Sequence, residues 1–523
     1  MLASLQRVIQ ATLQAADPRL SFRAAALRSQ GRTLALAGGE GVDLAAAPCA
    51  LILGAGKASV GVASELSVAL SRLQPPLPIH GGVVVTKDGH AAAGDVAALA
   101  AVGVAVREAA HPVPDARGEA AARELMACLS AAPPGAAVFV CLSGGASALL
   151  PLPAPGVALA DLSALSAALL RCGAPIQDLN AVRKHVSGVA GGQLGAAAAA
   201  RTGGALVTLV CSDVVGDALH VIGSGPTVAD PTTHADALRV LEAHGLLPVQ
   251  AAAAAEGGGG AGAPEAVVAH LCRGAAGLAP ETLKAPLPRH AVATLCSNGN
   301  ATAAAAAALA DAGFAPHVLT NSLEGSAGAA GGLLGTLLAE AALGRGPFAP
   351  APTAGGGGGG GGARRGIALV LGGETTVVLP AGCAGLGGRN QELALAAALR
   401  AGELLRAAAD AGAAGQPAPT PAPWLLCALA TDGTDGPTDA AGAVVTSETL
   451  RACGARGLRP ERALAGHDAY TLFAALGGGG AAGCTPQEPH IPPQEGGLLF
   501  TNCTGTNVCD VTIVIIGAQG EAL

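Results

Sequence analysis

Glycine-rich clusters that carry lysine, serine, aspartate or asparagine are the residues of this chain best suited to chemistry, because each ends a short apolar run. The run 51–53 leads into Gly54-Ala55-Gly56-Lys57, and similar clusters lie at residues 143–147, 212–213, 297–300, 372–374, 431–436 and 504–507. Buried parallel strands read as continuous apolar runs, and open α/β sheets bind ligands beyond the carboxyl ends of such strands. Glycines there let backbone N–H groups approach a ligand, and the N-termini of following helices favour anions. The clusters therefore predict a site for a small anionic substrate.

The first cluster matches neither of two familiar phosphate-binding signatures. A Walker A loop needs G-x-x-x-x-G-K-[ST], whereas here Leu51 stands five residues before Gly56 and Ala58 follows the lysine. A dinucleotide-binding G-x-G-x-x-G would need glycine where Ser59 stands. Taken alone, Lys57 is either a ligand-binding cation or a solvated lysine at the start of a helix.

Aspartates occur in two of the clusters. Asp213 follows an apolar run, where it either accepts a proton or holds a metal, or else caps the helix that follows. Asp432, Asp435 and Asp439 stand three and four residues apart beside glycines. Oxygen-rich turns of this kind suit Mg²⁺, although loop acids also form turns through their own hydrogen bonds. The sequence leaves both roles open for Asp432 and Asp435.

Two further segments are candidates for anion binding. Ser143, Gly144, Gly145 and Ser147 lie in a predicted strand-to-helix turn, where backbone N–H groups can cradle a phosphate. A tight turn that needs glycine is compatible with the same role. Arg183-Lys184-His185 is the one basic triplet near a predicted site, and its alternative is a solvated helix face.

Alternation of apolar runs with Ala-rich helical segments predicts a mostly parallel, doubly wound, Rossmann-like sheet. Strand candidates are residues 51–53, 83–85, 138–142, 205–211, 291–296, 367–371, 425–430 and 511–516. We expect an N-terminal domain over 1–250, a low-complexity linker region over 251–290 and a second α/β domain over 291–523. Gly- and Pro-rich segments near 350–365, 410–423 and 477–494 are expected to be disordered insertions.

Composition excludes several classes of function. A net charge of −8 and only 2% aromatic residues argue against a nucleic-acid partner. Thirteen cysteines without a C-x-x-C pair argue against a disulfide framework and a thiolate zinc site. The sequence has no stretch of about 18 consecutive strongly apolar residues, which is the length that a membrane span needs, so no span is predicted. The first 30 residues carry four arginines and one acid, which is compatible with an organellar transit peptide or with an ordinary first helix. We expect the ordinary helix and a cytoplasmic protein.

Taken together and in order, the clusters closely resemble the glycerate kinases with a C-terminal MOFRL domain, also called the glycerate 2-kinase family. The most specific motifs are TDGTDGPTDAAGA at 431–443 and GGRNQELAL at 387–395. Further matching segments are residues 54–59, 111–115, 143–150, 180–185, 212–217, 224–227 and 504–510.

The resemblance implies that ATP phosphorylates D-glycerate, usually on the 2-hydroxyl and with Mg²⁺, in a cleft between a Rossmann-like and a MOFRL-type α/β domain, in a monomer or homodimer. Lys57 and Arg389 match residues regarded as catalytic in the family, and Asp213 matches a family aspartate. Phosphoryl transfer needs such cations and an orienting acid or base, and arginine also clamps carboxylates in a bidentate manner. Substrate or nucleotide contacts are expected from Gly54, Gly56, Ser143, Gly144, Gly145, Ser147, Arg183, Gly373, Glu374, Asn390, Glu392, Thr506 and Asn507, with helix capping the alternative for Glu392.

Four positions depart from the family pattern. Ala146 replaces a glycine and requires a negative φ, Ala190 replaces a lysine, Leu386 an arginine and Ser326 an acid. Loss of flanking cations would weaken nucleotide binding while leaving the two catalytic cations in place. Two alternatives to the kinase therefore stay open. One is an NAD(P)H-dependent hydroxypyruvate reductase, against which the missing dinucleotide fingerprint counts; the other is a catalytically impaired relative that binds glycerate or nucleotide.

Overall fold

The computed structural model describes residues 1–37, 39, 41–247, 262–350, 365–412, 420–477, 484–485 and 488–518. The chain divides into two compact units. The N-terminal unit is Pro18–Leu295, and the C-terminal unit combines Met1–Asp17 with Cys296–Leu523.

Helices and strands alternate through most of the first 296 residues. In chain order these elements are α1 (Leu2–Ala16), α2 (Pro18–Ala26), β1 (Thr33–Ala35), β2 (Gly41–Asp43), β3 (Ala50–Ala55), α3 (Ser59–Arg72), β4 (Ile79–Lys87), α4 (Ala93–Ala101), β5 (Val104–Ala109), α5 (Ala116–Ala131), β6 (Ala137–Leu142), α6 (Ala146–Leu149), α7 (Leu159–Arg171), α8 (Ile176–His185), α9 (Gln193–Thr202), β7 (Leu206–Cys211), α10 (His234–Ala243), α11 (Glu265–Ala275) and β8 (His290–Cys296).

The remaining elements form the rest of the C-terminal unit. They are α12 (Asn298–Asp311), β9 (Phe314–Leu323), α13 (Ala327–Ala342), β10 (Gly366–Gly373), α14 (Arg389–Gly412), β11 (Trp424–Ala430), β12 (Gly442–Thr446), α15 (Thr449–Ala455), α16 (Pro460–Ala465), α17 (Ala469–Gly477), β13 (Gly497–Leu499) and β14 (Asp510–Gly517).

The main sheet of the N-terminal unit has the strand order β5-β4-β3-β6-β7-β8. Each pairing between consecutive strands from β5 to β7 is parallel. Every residue of β3, β6 and β7 is buried, as continuous apolar runs require when helices cover both faces of a sheet. The predicted doubly wound, Rossmann-like sheet is confirmed. Chain order reverses between β3 and β6, and such a switch point is where open α/β sheets bind ligands.

The sheet of the C-terminal unit has the order β13-β12-β11-β14-β10-β9. Only β9 and β10 pair in parallel, whereas β14 runs antiparallel to both β10 and β11. The start of β14 therefore lies at the same edge as the ends of β10 and β11. Asp510 is the register partner of Gly373 on one side and of Ala430 on the other. This second sheet agrees with the predicted second α/β domain.

The boundaries of the two units differ from those expected. Helix α1 belongs with the C-terminal unit, where Leu5, Val8 and Ile9 are fully buried, because its apolar stripe packs on α12. The segment 251–290, expected as a linker, contains α11, whose Val267 and Leu271 join a core cluster of the N-terminal unit. Strand β8, expected to open the second domain, instead forms the edge of the first sheet.

The predicted insertions fall largely outside the described residues, which omit 248–261, 351–364, 413–419, 478–483 and 486–487. Within the described part, His490 bridges Phe500, so the segment before β13 is tied to the C-terminal unit. All thirteen cysteines are free thiols. Among the described helices, none combines the length and the apolar character that crossing a bilayer requires.

Candidate active site

The loops after β3 and β6 interlock at the switch point of the first sheet. Lys57 N donates a hydrogen bond to Gly144 O (2.9 Å), and Ala58 N donates to Ser143 Oγ (2.9 Å). Gly56 has φ +134°, and a Cβ there would lie 2.2 Å from Ser143 Oγ. Only glycine permits this contact. Gly56 and Ser143 thus join the two strand ends and fix the backbone from which Lys57 projects.

Asp213 reaches the same place from the end of β7. A Cβ on Gly144 would lie 2.1 Å from Asp213 Oδ2, so the carboxylate lies directly against the glycine backbone. Because β3, β6 and β7 are neighbours, their carboxyl ends bring Lys57, Gly144 and Asp213 to one edge of the sheet. The structure brings these three predicted residues together within the N-terminal unit.

His111 is a member of this edge that sequence reasoning did not single out for chemistry. Burial, and next the positive charge of Lys57, lower the pKa of His111 to about 4. The imidazole is therefore neutral at physiological pH. Its neighbour Asp115 accepts a hydrogen bond from Gly118 N (3.0 Å) and caps α5, which is the structural role expected of a turn residue.

A cavity of about 300 Å³ opens beside this edge. Its polar lining includes His111, Ser147, Arg183 and Ser224, and the remainder is mainly apolar. The Ser147 and Ser224 hydroxyl oxygens are 2.8 Å apart. Arg183 Nε donates to Ser166 Oγ (3.2 Å), and among the described residues no carboxylate pairs with this guanidinium. Burial lowers the pKa of Arg183, which reflects a desolvated cation that an anion would stabilise.

Two departures from the family pattern lie in this cavity. Ala146 is the first residue of α6, directly after Gly145, so its side chain is accommodated in a helical conformation. Ala190 is 7% exposed and lines the cavity wall, where a lysine would have added a second cation. Compared with the family pattern, the cavity therefore retains the guanidinium of Arg183 but lacks the positive charge of a lysine at position 190.

Arg389, the second predicted catalytic cation, begins α14 in the C-terminal unit and is held by two carboxylates. Its Nε and Nη2 donate to Asp510 Oδ2 (2.5 Å) and Oδ1 (2.9 Å), and its Nη1 lies 3.2 Å from Glu374 Oε1. Burial raises the pKa of Asp510 to about 7, although Arg389 opposes the shift. Burial by itself would lower the pKa of Arg389, but the bonds to Asp510 outweigh it and raise that pKa. Arg389 is thus a permanently charged, oriented guanidinium.

Asp510 is the residue of this group that sequence reasoning missed. Its signal was present, because it is a lone acid immediately before the apolar run of the last strand. Its position opposite Gly373 and Ala430 brings Glu374 and Arg389 to the edge shared by β10, β14 and β11. A cavity of about 340 Å³ adjoins Arg389 and Glu374.

Asp435 has a structural role rather than that of an open metal ligand. Its Oδ1 accepts from Asn390 N (3.1 Å) and Asn390 Nδ2 (3.2 Å), and its Oδ2 accepts from Gln391 N (2.9 Å). The residue is fully buried. These bonds satisfy N–H groups in the first turn of α14, which otherwise lack partners in a helix. They also engage Asn390, which was expected to contact a ligand.

Asp432 is more open than Asp435. Its Oδ1 accepts from Thr434 N (3.1 Å), which is the turn-forming bond expected of a loop acid, and the residue is only partly buried. Asp439 accepts from the Tyr470 hydroxyl (2.6 Å). Three acids at short spacing in the sequence thus have three separate environments.

Other predicted contacts are engaged elsewhere in the C-terminal unit. Glu392 Oε2 lies 2.8 Å from His467 Nδ1, Thr506 donates to Ala16 O at the end of α1, and Asn507 Oδ1 accepts from Cys509 N (3.0 Å). Glu392 and His467 line the cavity beside Arg389, whereas Thr506 and Asn507 do not.

The two remaining departures from the family pattern have local structural roles. Ser326 caps α13, its Oγ accepting from Ala329 N (3.4 Å). Leu386 N donates to Asp468 Oδ1 (3.0 Å), and the Leu386 side chain is 37% exposed.

Comparisons with known proteins agree with the fold and with the resemblance carried by the motifs. Residues 4–256 match a family described as a domain of unknown function (DUF4147), and residues 367–510 match the MOFRL family. A glycerate 2-kinase of Pyrococcus horikoshii is 34% identical over 513 residues, covering 98% of this chain and 97% of that protein. A putative hydroxypyruvate reductase of Agrobacterium vitis is also 34% identical, over 98% of this chain and 94% of that protein.

A solved structure gives the same result for the fold. The crystal structure of a glycerate kinase from Thermotoga maritima matches with a TM-score of 0.72 at 28% identity, covering 98% of this chain and 99% of that chain. The resemblance found in the motifs is confirmed over nearly the whole chain.

Proposed function

Because this chain belongs to the family of glycerate kinases that carry a C-terminal MOFRL domain, we propose that it transfers the γ-phosphoryl group of ATP to D-glycerate, giving 2-phosphoglycerate and ADP. The observation that carries the proposal is the meeting of Lys57, the 143–145 turn and Asp213 at the switch point of a sheet with Rossmann strand order. Phosphoryl transfer relies on positioned cations and an aligned nucleophile, and this edge supplies both residue types.

Lys57 and Asp213 have complementary roles in the proposal. The Lys57 ammonium neutralises charge on the transferring group, while the backbone of Gly144 and Gly145 lines the approach to it. Asp213 accepts the proton of the attacking hydroxyl, which leaves that oxygen able to form the new P–O bond as the bond to ADP breaks. His111 is neutral, so it lines this edge without adding a positive charge.

Arg183 recognises the glycerate carboxylate in the proposal. Its guanidinium lines a cavity, is partly desolvated and lacks a carboxylate partner among the described residues. Planar guanidinium groups bind carboxylates in a bidentate manner, and the energy of such a bond is greater in a partly buried site. The neighbouring Ser147 and Ser224 hydroxyls supply hydrogen bonds for the hydroxyl groups of a small sugar acid.

Arg389 stabilises charge on the phosphoryl group, with Asp510 as its positioning residue. Two hydrogen bonds to Asp510 fix the plane of the guanidinium, and among the described carboxylates Nη1 pairs with the partly exposed Glu374. An anionic substrate would exchange with Glu374 at that nitrogen. Kinetics of the Lys57 and Arg389 single variants and of the double variant test whether the two cations act on the same group.

Of the two aspartates that the sequence suggested as Mg²⁺ ligands, one has an environment that allows it to bind the ion. Asp435 does not fit, because both of its oxygens already accept N–H bonds in a fully buried position. Asp432 fits, since it is partly open and Mg²⁺ is commonly held by one or two carboxylates together with substrate phosphates. When bound there, the ion would neutralise charge on the β- and γ-phosphate oxygens.

A hydroxypyruvate reductase is the second candidate, favoured by the name of the Agrobacterium vitis relative. The absence of glycine at Ser59 removes the dinucleotide fingerprint, which argues against it. A catalytically impaired ligand-binding protein is the third, favoured by the cation lost at Ala190.

One set of assays separates the three. We expect ADP release that requires both ATP and D-glycerate, with 2-phosphoglycerate identified by ³¹P NMR. Oxidation of NADH or NADPH by hydroxypyruvate without kinase turnover would instead establish the reductase. Ligand-dependent protection against thermal unfolding with neither activity would establish the impaired relative.

A further inference from the structure

A cluster of two histidines and a glutamate in the N-terminal unit has no part in the proposed phosphoryl transfer. His185 ends α8, His234 begins α10, and Glu281 lies in the segment after α11. One ligand atom from each lies within 4.8 Å of the other two. His185 Nε2 and His234 Nδ1 are each 3.0 Å from Glu281 Oε1. Both histidine side chains are buried, whereas the glutamate is about one-third exposed.

The hydrogen bonds around His185 leave a lone pair directed at oxygen atoms. His185 Nδ1 lies 2.7 Å from Ala181 O, so Nδ1 carries the proton and donates it to that carbonyl. In a neutral imidazole the other nitrogen, Nε2, then carries a lone pair. Nε2 faces Glu281 Oε1 at 3.0 Å and Asp230 Oδ2 at 3.8 Å, and the Thr282 hydroxyl beside it donates to Asp230. Apart from the Thr282 hydroxyl at 3.4 Å, these neighbours of Nε2 are carboxylate oxygens, which a metal ion shared with Nε2 would neutralise.

His234 supplies the second observation. Its Nδ1 is buried and lies 3.0 Å from Glu281 Oε1, but no hydrogen bond of acceptable geometry joins this nitrogen to any residue that the structure describes. Buried polar nitrogens rarely lack a partner, and an exception can mark the place of an ion. For bonds of about 2.0–2.1 Å in a tetrahedral site, ligand atoms lie about 3.3 Å apart. The two measured 3.0 Å separations are close to this value.

We propose that His185, His234 and Glu281 form a binding site for a borderline divalent metal ion of the Zn²⁺ class. Imidazole and carboxylate ligands suit Zn²⁺, whereas Mg²⁺ prefers an all-oxygen octahedron. The bond from His185 Nδ1 to a backbone carbonyl is the outer contact that metal-ligating histidines usually make. A water molecule entering past the exposed face of Glu281 completes the coordination.

The charges nearby are compatible with such an ion. Lys184 is neutralised by Asp230, with Nζ 3.1 Å from Oδ1. Lys284 Nζ lies 3.6 Å from Glu281 Oε1 and also donates hydrogen bonds to Asp230 O, Thr232 O and Thr282 Oγ1, so the two lysines and the two acids, Asp230 and Glu281, balance in charge before an ion binds. The site joins the end of α8, the start of α10 and the Glu281 segment. Since Arg183 lies two residues before His185, a bound ion would stiffen the wall that carries this guanidinium.

The test uses the full-length, tag-free protein, stripped with a chelator and titrated with Co²⁺ alone. We expect one equivalent of Co²⁺ with visible d–d absorption, displaced by Zn²⁺. His234→Gln and Glu281→Gln should each weaken binding by about 10-fold or more. His90→Gln, which changes an exposed histidine, is the matched control and should bind normally.

Three results would overturn the proposal: no binding by the wild-type chain, unchanged binding in both variants, or a thiolate-to-cobalt band that assigns the metal to cysteine. Should both variants fail to fold, X-ray absorption of the Zn²⁺-loaded wild-type protein still decides. Two histidines and oxygen in the first shell support the site, and sulfur or a single histidine refutes it. None of these readouts depends on kinase activity.

Discussion

Asp435→Asn tests whether the second aspartate of the TDGTDG motif stabilises the start of α14 or binds a metal. The wild-type carboxylate accepts two hydrogen bonds from Asn390 and one from Gln391 N in a fully buried position. The isosteric amide keeps one oxygen, which satisfies Asn390 best. Its NH₂ group then faces Gln391 N–H, so one buried donor loses its partner.

The expected cost follows from three terms. Losing a hydrogen bond to a charged group costs about 1.5–3 kcal/mol, and losing a negative charge at a helix N-terminus costs about 0.3–1 kcal/mol more. Burial raises the pKa of Asp435, which means that the ionised form is itself costly at this position, and the neutral amide recovers part of that cost. We expect a net loss of about 2 kcal/mol, or roughly 4–8 °C in Tm for a unit of this size.

The assay is thermal unfolding in Mg²⁺-free buffer, with Asp432→Asn as the matched control from the same motif. Asp432 is only partly buried and accepts bonds within its own turn, so its variant should lose less than about 1 kcal/mol of stability and should show its defect as a higher Mg²⁺ requirement. The reasoning fails if Asp435→Asn unfolds like the wild type without Mg²⁺ yet needs roughly tenfold more Mg²⁺ for turnover.

The other predictions concern the charged groups at the two strand edges. Lys57→Ala and Arg389→Ala should each lower kcat by about 10² or more, and the double variant should lose less than the product of the two, as steady-state kinetics with ATP and D-glycerate will show; fully multiplicative losses would separate their roles. Arg183→Gln should raise KM for D-glycerate by about tenfold or more and leave KM for ATP unchanged, whereas equal increases would contradict carboxylate recognition. Because burial raises the pKa of Asp510 to about 7, the folded state takes up a proton there, and the associated stability is complete below about pH 4 and is lost as the pH rises through about 7. Urea unfolding of Asp510→Asn should therefore show a flatter dependence on pH across this range, and an unchanged slope would refute the assignment.

The hydrophobic pattern and the motifs were sufficient to predict the sheet of the N-terminal unit and the polar residues at its edge. Continuous apolar runs at β3, β6 and β7 predicted buried parallel strands, and polar residues directly after them had to meet at one edge. The proximity of Lys57, Gly144 and Asp213 follows from this rule alone. No chemical role was predicted for His111, because its relevance comes from a cavity and a neighbouring charge, neither of which has a local sequence signal.

Tertiary partners decided the positions that sequence left open or missed. Asp435 and Asp432 look alike in a repeated TDG motif, but only one of them faces the start of α14, more than 40 residues earlier in the chain. Asp510 became recognisable only once the antiparallel placement of β14 brought it opposite Gly373. Pairing direction and register between distant strands are set by packing, and no local pattern encodes them.

Helix α1 has a consequence for synthesis of the chain. Its apolar face is completed by α12, which begins about 280 residues later. At a synthesis rate of roughly 5–20 residues per second, this apolar face stays exposed for about 15–60 s before α12 emerges from the ribosome. Helix α1 thus leaves the exit tunnel long before the helix that buries it, and a substitution that hinders their pairing would delay maturation of a unit whose remaining sequence is untouched.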